Sequence, residues 1–469
     1  MIMEVVVEKK YRLDSAFELL EKDEKYLYVD YKNGNWFRTN RIGMELLSMI
    51  DGSSAVDEVI GKFAELNGFP HPVIKKKIMP FLSRALERKL LLDQNEQHEN
   101  VNTEFSEYPN DLWIHVTDLC NMHCPFCYSS SGSCGVKKLD MEKVLKFVSG
   151  IPYDKRKSII ISGGEPLLYP ELPELVKELK ALNFHITVIS NGTVDYAKYD
   201  AIIPYINALQ ISIDGATEEI YQNTRGKGNY KKAVSTLDHA FEQGMQNIVV
   251  SFTTNKYNID SIQDMAEFAR IHHVNHLHIT KIIPSGRAND IMDKIVPTAN
   301  EYSIAISRLS QAVLAANQKI ETMHHSEEMF LDEEQQTKFI TMTVSSDPIR
   351  KTLQQTKVTT CSLGCGTLSI GYDGNIYPCG CLQASELQIG TLDDSIDEVM
   401  QRGHTLGHDH SVDNPEVVDC YACKYKYICG GGCRACASSA GNIKGKDPMC
   451  EFYIERIEKV MWDSPCTVL

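Results

Sequence analysis

Cys120, Cys124 and Cys127 stand in the run Thr117-Asp118-Leu119-Cys120-Asn121-Met122-His123-Cys124-Pro125-Phe126-Cys127-Tyr128, a C-x3-C-x2-C spacing that delivers three thiols from one short loop. Three is the constraining number. A four-iron cube has four corners, so three protein thiolates leave one iron open to an outside ligand. Tetrahedral zinc also accepts thiolates at short spacing, and the sequence around the triplet weighs between the two.

That sequence supplies a series of strands with polar ends. Ser158-Ile159-Ile160-Ile161 is a β-branched apolar run ending at Ser162-Gly163-Gly164-Glu165-Pro166, where glycines let backbone approach a ligand closely. Further strand patterns are Phe184 to Ile189 before Ser190-Asn191-Gly192, Leu209 to Ile213 before Asp214-Gly215, Asn247 to Thr254, and His276 to Ile283 before Pro284-Ser285-Gly286-Arg287. Helical stretches alternate with them, the pattern of parallel βαβ units, and in such folds ligand-bearing residues lie at the carboxyl ends of the strands.

The triplet with Phe126 before its last cysteine, followed by Gly163-Gly164-Glu165-Pro166, resembles the radical SAM superfamily. The resemblance implies an α/β fold, a partial barrel of six βα units, in which the open iron binds the amino and carboxylate groups of S-adenosylmethionine. It implies electron transfer into the sulfonium, giving methionine and a 5'-deoxyadenosyl radical that removes hydrogen from the substrate. Gly163 to Pro166 then correspond to the motif that holds the methionine amino group. Ser190 and Asn191 lie near the ribose, and Ser212 and Arg225 are candidates for the carboxylate. A flavodoxin- or ferredoxin-type electron donor is implied as well.

Eleven of the 15 cysteines lie after residue 360. The pattern Cys361-x12-Gly374-x4-Cys379, then Cys420-x2-Cys423-x5-Cys429-x3-Cys433, then Cys450 resembles the SPASM extension of radical SAM enzymes, including the run Cys429-Gly430-Gly431-Gly432-Cys433. By that resemblance the chain holds three 4Fe-4S clusters. Cys420, Cys423, Cys429 and Cys450 complete a distal one, and Cys361, Cys379 and Cys433 hold a nearer one. Its fourth position is Cys365 or an open iron that takes a substrate cysteine thiolate, which makes Cys365 and Cys379 the candidates for a catalytic part. Cys134, Cys381, Cys436 and Cys466 are read as small apolar residues. His404, His408, Asp409 and His410, in a Gly-rich polar connection, are read as a solvated loop rather than a metal site.

The 469 residues have length for about three domains, and a formal charge of −15 disfavours a nucleic-acid partner, whose phosphates demand basic surface. No apolar stretch approaches the roughly 20 residues of a membrane span, and Met1-Ile2-Met3-Glu4 lacks the character of a signal peptide; the expectation is a cytoplasmic protein. So many thiols in that compartment point to metal ligation rather than disulfides.

The amino-terminal segment carries two strand patterns, Tyr26 to Asp30 and Asn35 to Thr39, around the turn pair Asn33-Gly34. Asn40 is a plausible N-cap before the first of three helical patterns, and Leu90 to Leu92 reads as a closing strand. Hairpin, three helices and strand suggest a winged-helix-like unit, and the layout resembles the PqqD-like element that binds a leader peptide by strand addition. The expected organisation is recognition unit 1–92, linker 93–109, radical SAM barrel 110–295, helical bridge 296–360 and SPASM domain 361–469.

The whole resembles the sactipeptide and ranthipeptide maturases, which modify a ribosomally made precursor peptide carrying a leader, here by intramolecular cysteine thioether formation. Carbon-carbon crosslinking of a peptide and anaerobic sulfatase maturation are the enzymatic alternatives. A metal-stapled peptide-binding scaffold is the alternative of another class.

Overall fold

Alternation of apolar and polar residues along short β-branched runs builds the central sheet. The computed structural model describes residues 5–101, 103, 105–132, 138–327, 339–344 and 349–463. Five strands belong to the amino-terminal unit: β1 (Tyr11–Leu13), β2 (Glu18–Lys22), β3 (Lys25–Asp30), β4 (Asn35–Thr39) and β5 (Leu91–Asp93). The order β2-β3-β4 is antiparallel, and β1 pairs with β5. Asn40 does cap the first helix, Arg41–Ser48, its side chain accepting from the Gly43 amide at 2.9 Å. Helices Val56–Leu66 and His71–Glu87 close over a core of Leu46, Phe63, Ile78 and Phe81.

Among the described residues the main sheet has ten strands. β6 (Asp111–His115), β7 (Ser158–Ser162), β8 (His185–Ser190), β9 (Ala208–Ser212), β10 (Ile248–Thr254), β11 (His276–Lys281) and β12 (Thr341–Val344) lie side by side in parallel. On the other side of β6, β13 (Thr367–Ile370) adds in parallel, and β14 (Asn375–Tyr377) and β15 (Gly390–Thr391) follow antiparallel. Register places Ile114, Ile161, Val188 and Leu209 in one row, all fully buried. Each such side chain contributes about 1.5–3 kcal/mol of apolar burial. The intervening residues, among them Trp113, Gln210, Ser212, Ser251 and Thr253, line a cavity. One period of two thus makes both the core and the site.

Three features differ from expectation. The stretch 296–360 is more than a helical bridge: besides the helix Ala299–Glu327 it supplies β12 to the sheet edge. His404, His408 and Asp409 lie on the helix Ile396–Asp409, not in a loop. Ser395 and Glu398 form its capping box, His404 contacts the Ser106 carbonyl at 3.0 Å, and the Phe105 ring packs tilted against His408. Finally, the amino-terminal unit is not tethered by a linker alone. Leu27, Val29 and Trp36 share a core with Tyr425, Ile428, Ile457 and Met461 of the carboxyl-terminal region. No helix of the described residues is long and apolar enough to cross a membrane.

Candidate functional site

The loop after β6 carries Cys120, Cys124 and Cys127 into one cavity of about 230 Å³, which Phe126, Gly163, Gly164 and Tyr128 also border. Two neighbouring segments hold the loop. Arg287 donates from Nε to the Cys124 carbonyl at 2.9 Å and from a terminal nitrogen to the Ser131 carbonyl at 2.8 Å, while its amide donates to the Cys127 carbonyl at 3.1 Å. On the other side the backbone of Gly164 donates to Thr117 at 2.7 Å, and that of Glu165 to Leu119 at 2.8 Å. A Cβ on Gly164 would lie 2.2 Å from the Leu119 carbonyl oxygen. Gly164→Ala must therefore displace the cysteine loop, at a cost of about 1–3 kcal/mol; a lower melting temperature together with loss of bound iron checks it.

Glu165 is fully buried and does not border the cavity. Its carboxylate accepts from Ser190 Oγ at 2.9 Å, the Asn191 amide at 2.8 Å and the Leu167 amide at 3.2 Å. Burial pushes its carboxyl up to about 7 against the pull of those hydrogen bonds. Pro166 opens the short turn behind it. The pair shapes the wall from which Ser190 and Asn191 face the cavity, and Asn191 also donates to Asn121 Oδ1 at 2.8 Å. Ser212 and Arg225 border the cavity as well; Arg225 pairs with buried Asp214 at 2.5 Å and lies over the Phe126 ring. Gln210, Ser251, Thr253 and Arg287 line it too, unmarked by any motif.

Three thiols, a row of close backbone and an arginine facing them fit a cube ligated at three corners with an acidic ligand on the fourth. Burial pushes Cys120 up to about 11 and raises Cys124 as well, so the thiolates form on metal binding.

Cys420, Cys423, Cys429 and Cys450 line a second cavity of about 210 Å³. Gly430, Gly431 and Gly432 have φ of 73°, 86° and 69°, three successive left-handed residues that only glycine adopts freely. They turn the chain so that Cys429 faces this cavity and Cys433 leaves it. Cys433 packs with Cys361, Cys379 and Cys381 on Leu363, Leu382 and Ala435. The Cys381 amide donates to Cys379 Sγ at 3.5 Å, and a hydrogen bond with the Cys381 thiol lowers Cys379. The Cys436 thiol, with help from Lys281, holds Cys433 down to about 5.

Cys381 and Cys436, read from sequence as apolar filler, therefore belong to this thiol group. Their signal was the spacing: Cys381 two residues after Cys379, and Cys436 three after Cys433. Cys365 is buried with its thiol against Gly407. Cys134 and Cys466 lie outside the described residues.

Cys381 also borders the first cavity. A third, polar cavity of about 350 Å³ shares Tyr128, Ser129, Ser131, Gly163 and Cys381 with the first and continues past Gln383, Ser438 and Ser439.

Residues 114–269 match the model of the radical SAM superfamily, so the chain carries a radical SAM domain, a fold that binds S-adenosylmethionine and a 4Fe-4S cluster. The mycofactocin maturase MftC of Mycolicibacterium smegmatis is 30% identical over 196 residues, 41% of this chain and 50% of that protein. The chain thus spans about half the length of the curated relatives it matches first. Among solved structures, Streptococcus suis SuiB bound to S-adenosylmethionine aligns over 94% of this chain and 100% of its own, with TM-score 0.56 and 12% identity. Native anSMEcpe with bound AdoMet and Cp18Cys peptide aligns over 75% and 96%, with TM-score 0.56 and 17% identity. At those identities the likeness is one of fold.

Proposed function

We propose that this chain is a radical SAM peptide maturase that joins a cysteine sulfur of a ribosomally made precursor to one of its carbons as a thioether. The observation that carries this reading is that one cavity is bordered both by Cys120, Cys124 and Cys127 and by Cys381 from the loop of Cys379. A site for removing hydrogen and a site for handling sulfur would face the same substrate. SAM and a 4Fe-4S cluster held by Cys120, Cys124 and Cys127 would supply the 5'-deoxyadenosyl radical there.

Around them the residues have separable tasks. Arg225 and Ser212 hold the carboxylate of the methionyl group, Gly163 and Gly164 present backbone to its amine, and Ser190 and Asn191 face the ribose. Cys361, Cys379 and Cys433, with Cys365 or an open iron as the fourth position, hold the nearer SPASM cluster. Cys420, Cys423, Cys429 and Cys450 hold the distal one. The polar cavity past Gln383 and Ser439 suits entry of an extended peptide, because hydroxyls and amides satisfy its backbone. Similarity to MftC, a maturase, and to SuiB, also solved bound to the precursor peptide SuiA, supports a peptide substrate.

The PqqD-like unit would bind the leader at β2. Among the described residues, β2 pairs with β3 alone in its three-stranded sheet, and Leu19 on it is exposed. An added strand gains backbone hydrogen bonds along that edge. The shared core of Trp36 with Ile457 makes truncation of residues 1–92 an unclean test, so a point change is preferable. Incubation with SAM, reductant and a short Cys-containing peptide encoded beside this chain should yield product lacking two hydrogens per crosslink by mass spectrometry. Leu19→Lys should weaken binding of that peptide about tenfold, or about 1.4 kcal/mol, while deoxyadenosine is still formed. A peptide of unchanged mass sinks the maturase reading, and equal binding by the variant removes β2 from recognition.

A further inference from the structure

Lysine is almost never fully buried unless paired, and Lys281, at the carboxyl end of β11, is 7% exposed. Its ammonium donates to Asp447 Oδ2 at 3.0 Å and to the Tyr453 hydroxyl. Tyr453 in turn donates to the same Oδ2 at 3.1 Å, and so does the backbone amide of Cys433, at 2.7 Å. Gly432 permits that approach, since a Cβ there would lie 2.9 Å from the Asp447 Cβ. Asp447 and Tyr453 are 2% and 1% exposed. Lys281 also borders the cavity of Cys120, Cys124 and Cys127. The cation therefore sits between the two thiol groups, away from water, and is tied to the loop of Cys433.

Burial alone would favour the neutral amine. The ion pair with the buried Asp447 carboxylate at 3.0 Å offsets it and keeps the side chain charged. In a dry setting a fixed charge acts over several ångströms with little screening, and the potential of an iron-sulfur cluster follows the net charge and hydrogen bonds around it.

We infer that Lys281, held by Asp447, is a positioning residue that sets the reduction potential of the nearer cluster: its fixed positive charge beside Cys433 favours the state with one more electron. This rests on the reading of Cys361, Cys379 and Cys433 as that cluster's ligands. The alternative is a staple that only joins β11 to the carboxyl-terminal region.

Potentiometric titration of the full-length, iron-loaded protein, followed by electron paramagnetic resonance, separates them. The nearer cluster is the signal that Cys379→Ala removes. Lys281→Met should lower its midpoint potential, Asp447→Asn should raise it, and Lys281→Arg should leave it near the wild-type value. A staple predicts lower melting temperatures with no ordered change of potential. If Lys281→Met does not fold, Asp447→Asn alone decides, because only a charge effect raises the potential. Equal potentials in all the proteins overturn the role of the charge and leave the cluster assignment standing. Absence of any signal sensitive to Cys379 overturns both.

Discussion

Replacing Cys120, Cys124 and Cys127 together by alanine should lower bound iron by about four per chain and take SAM cleavage to background. The three thiols come from a single loop, so no other described residue in that cavity can replace them: Cys381 is the remaining thiol there, and one thiolate does not hold a cube. Iron held by the two proposed SPASM clusters should persist. Cys420, Cys423, Cys429 and Cys450 line a separate cavity, and Cys361, Cys379 and Cys433 rest on their own apolar cluster. Iron analysis and chromatography of deoxyadenosine test the two halves independently. Deoxyadenosine formed at the wild-type rate by the triple variant would rule out this loop as the radical source.

Local signals made part of this site legible in the sequence. The triplet and Gly163-Gly164 depend on spacing over a few residues, and the strands β7 to β11 on β-branched runs that survive any tertiary arrangement. The helix Ile396–Asp409 was hidden by Gly403 and Gly407, which look like loop residues. They are required by packing instead: a Cβ on Gly403 would lie 2.2 Å from the Gly364 oxygen, and one on Gly407 would meet the Cys365 thiol at 3.2 Å. β12 was hidden because its four residues alternate between exposed and half-buried at the sheet edge, leaving no apolar run to find. β2, Glu18-Leu19-Leu20-Glu21-Lys22, has the composition of a helix and takes strand form through its register with β3. Lys281 and Asp447 meet across 166 positions of chain, and Cys381 reaches the cavity that Lys281 borders from a separate loop; no short motif encodes such meetings.

The nearer thiol group bears the sharper test of mechanism. Forming a thioether needs a cysteine held as thiolate, and a thiol coordinated to metal is deprotonated outright; the electron left after sulfur-carbon bonding also needs an acceptor. Cys379 belongs to the loop that borders the radical cavity through Cys381. Cys379→Ala should therefore abolish crosslinking while deoxyadenosine production continues, since Cys120, Cys124 and Cys127 are untouched. Cys365→Ala distinguishes the two ways of completing the cluster. Loss of iron and crosslinking together makes Cys365 the fourth ligand, whereas unchanged iron with retained crosslinking leaves that iron open for the substrate thiolate. Cys381→Ala and Cys436→Ala, measured alongside, show whether either thiol of the same group takes that position. Should Cys379→Ala and Cys365→Ala both crosslink the precursor at the wild-type rate with reduced iron, the nearer cluster is a structural staple and sulfur chemistry occurs elsewhere.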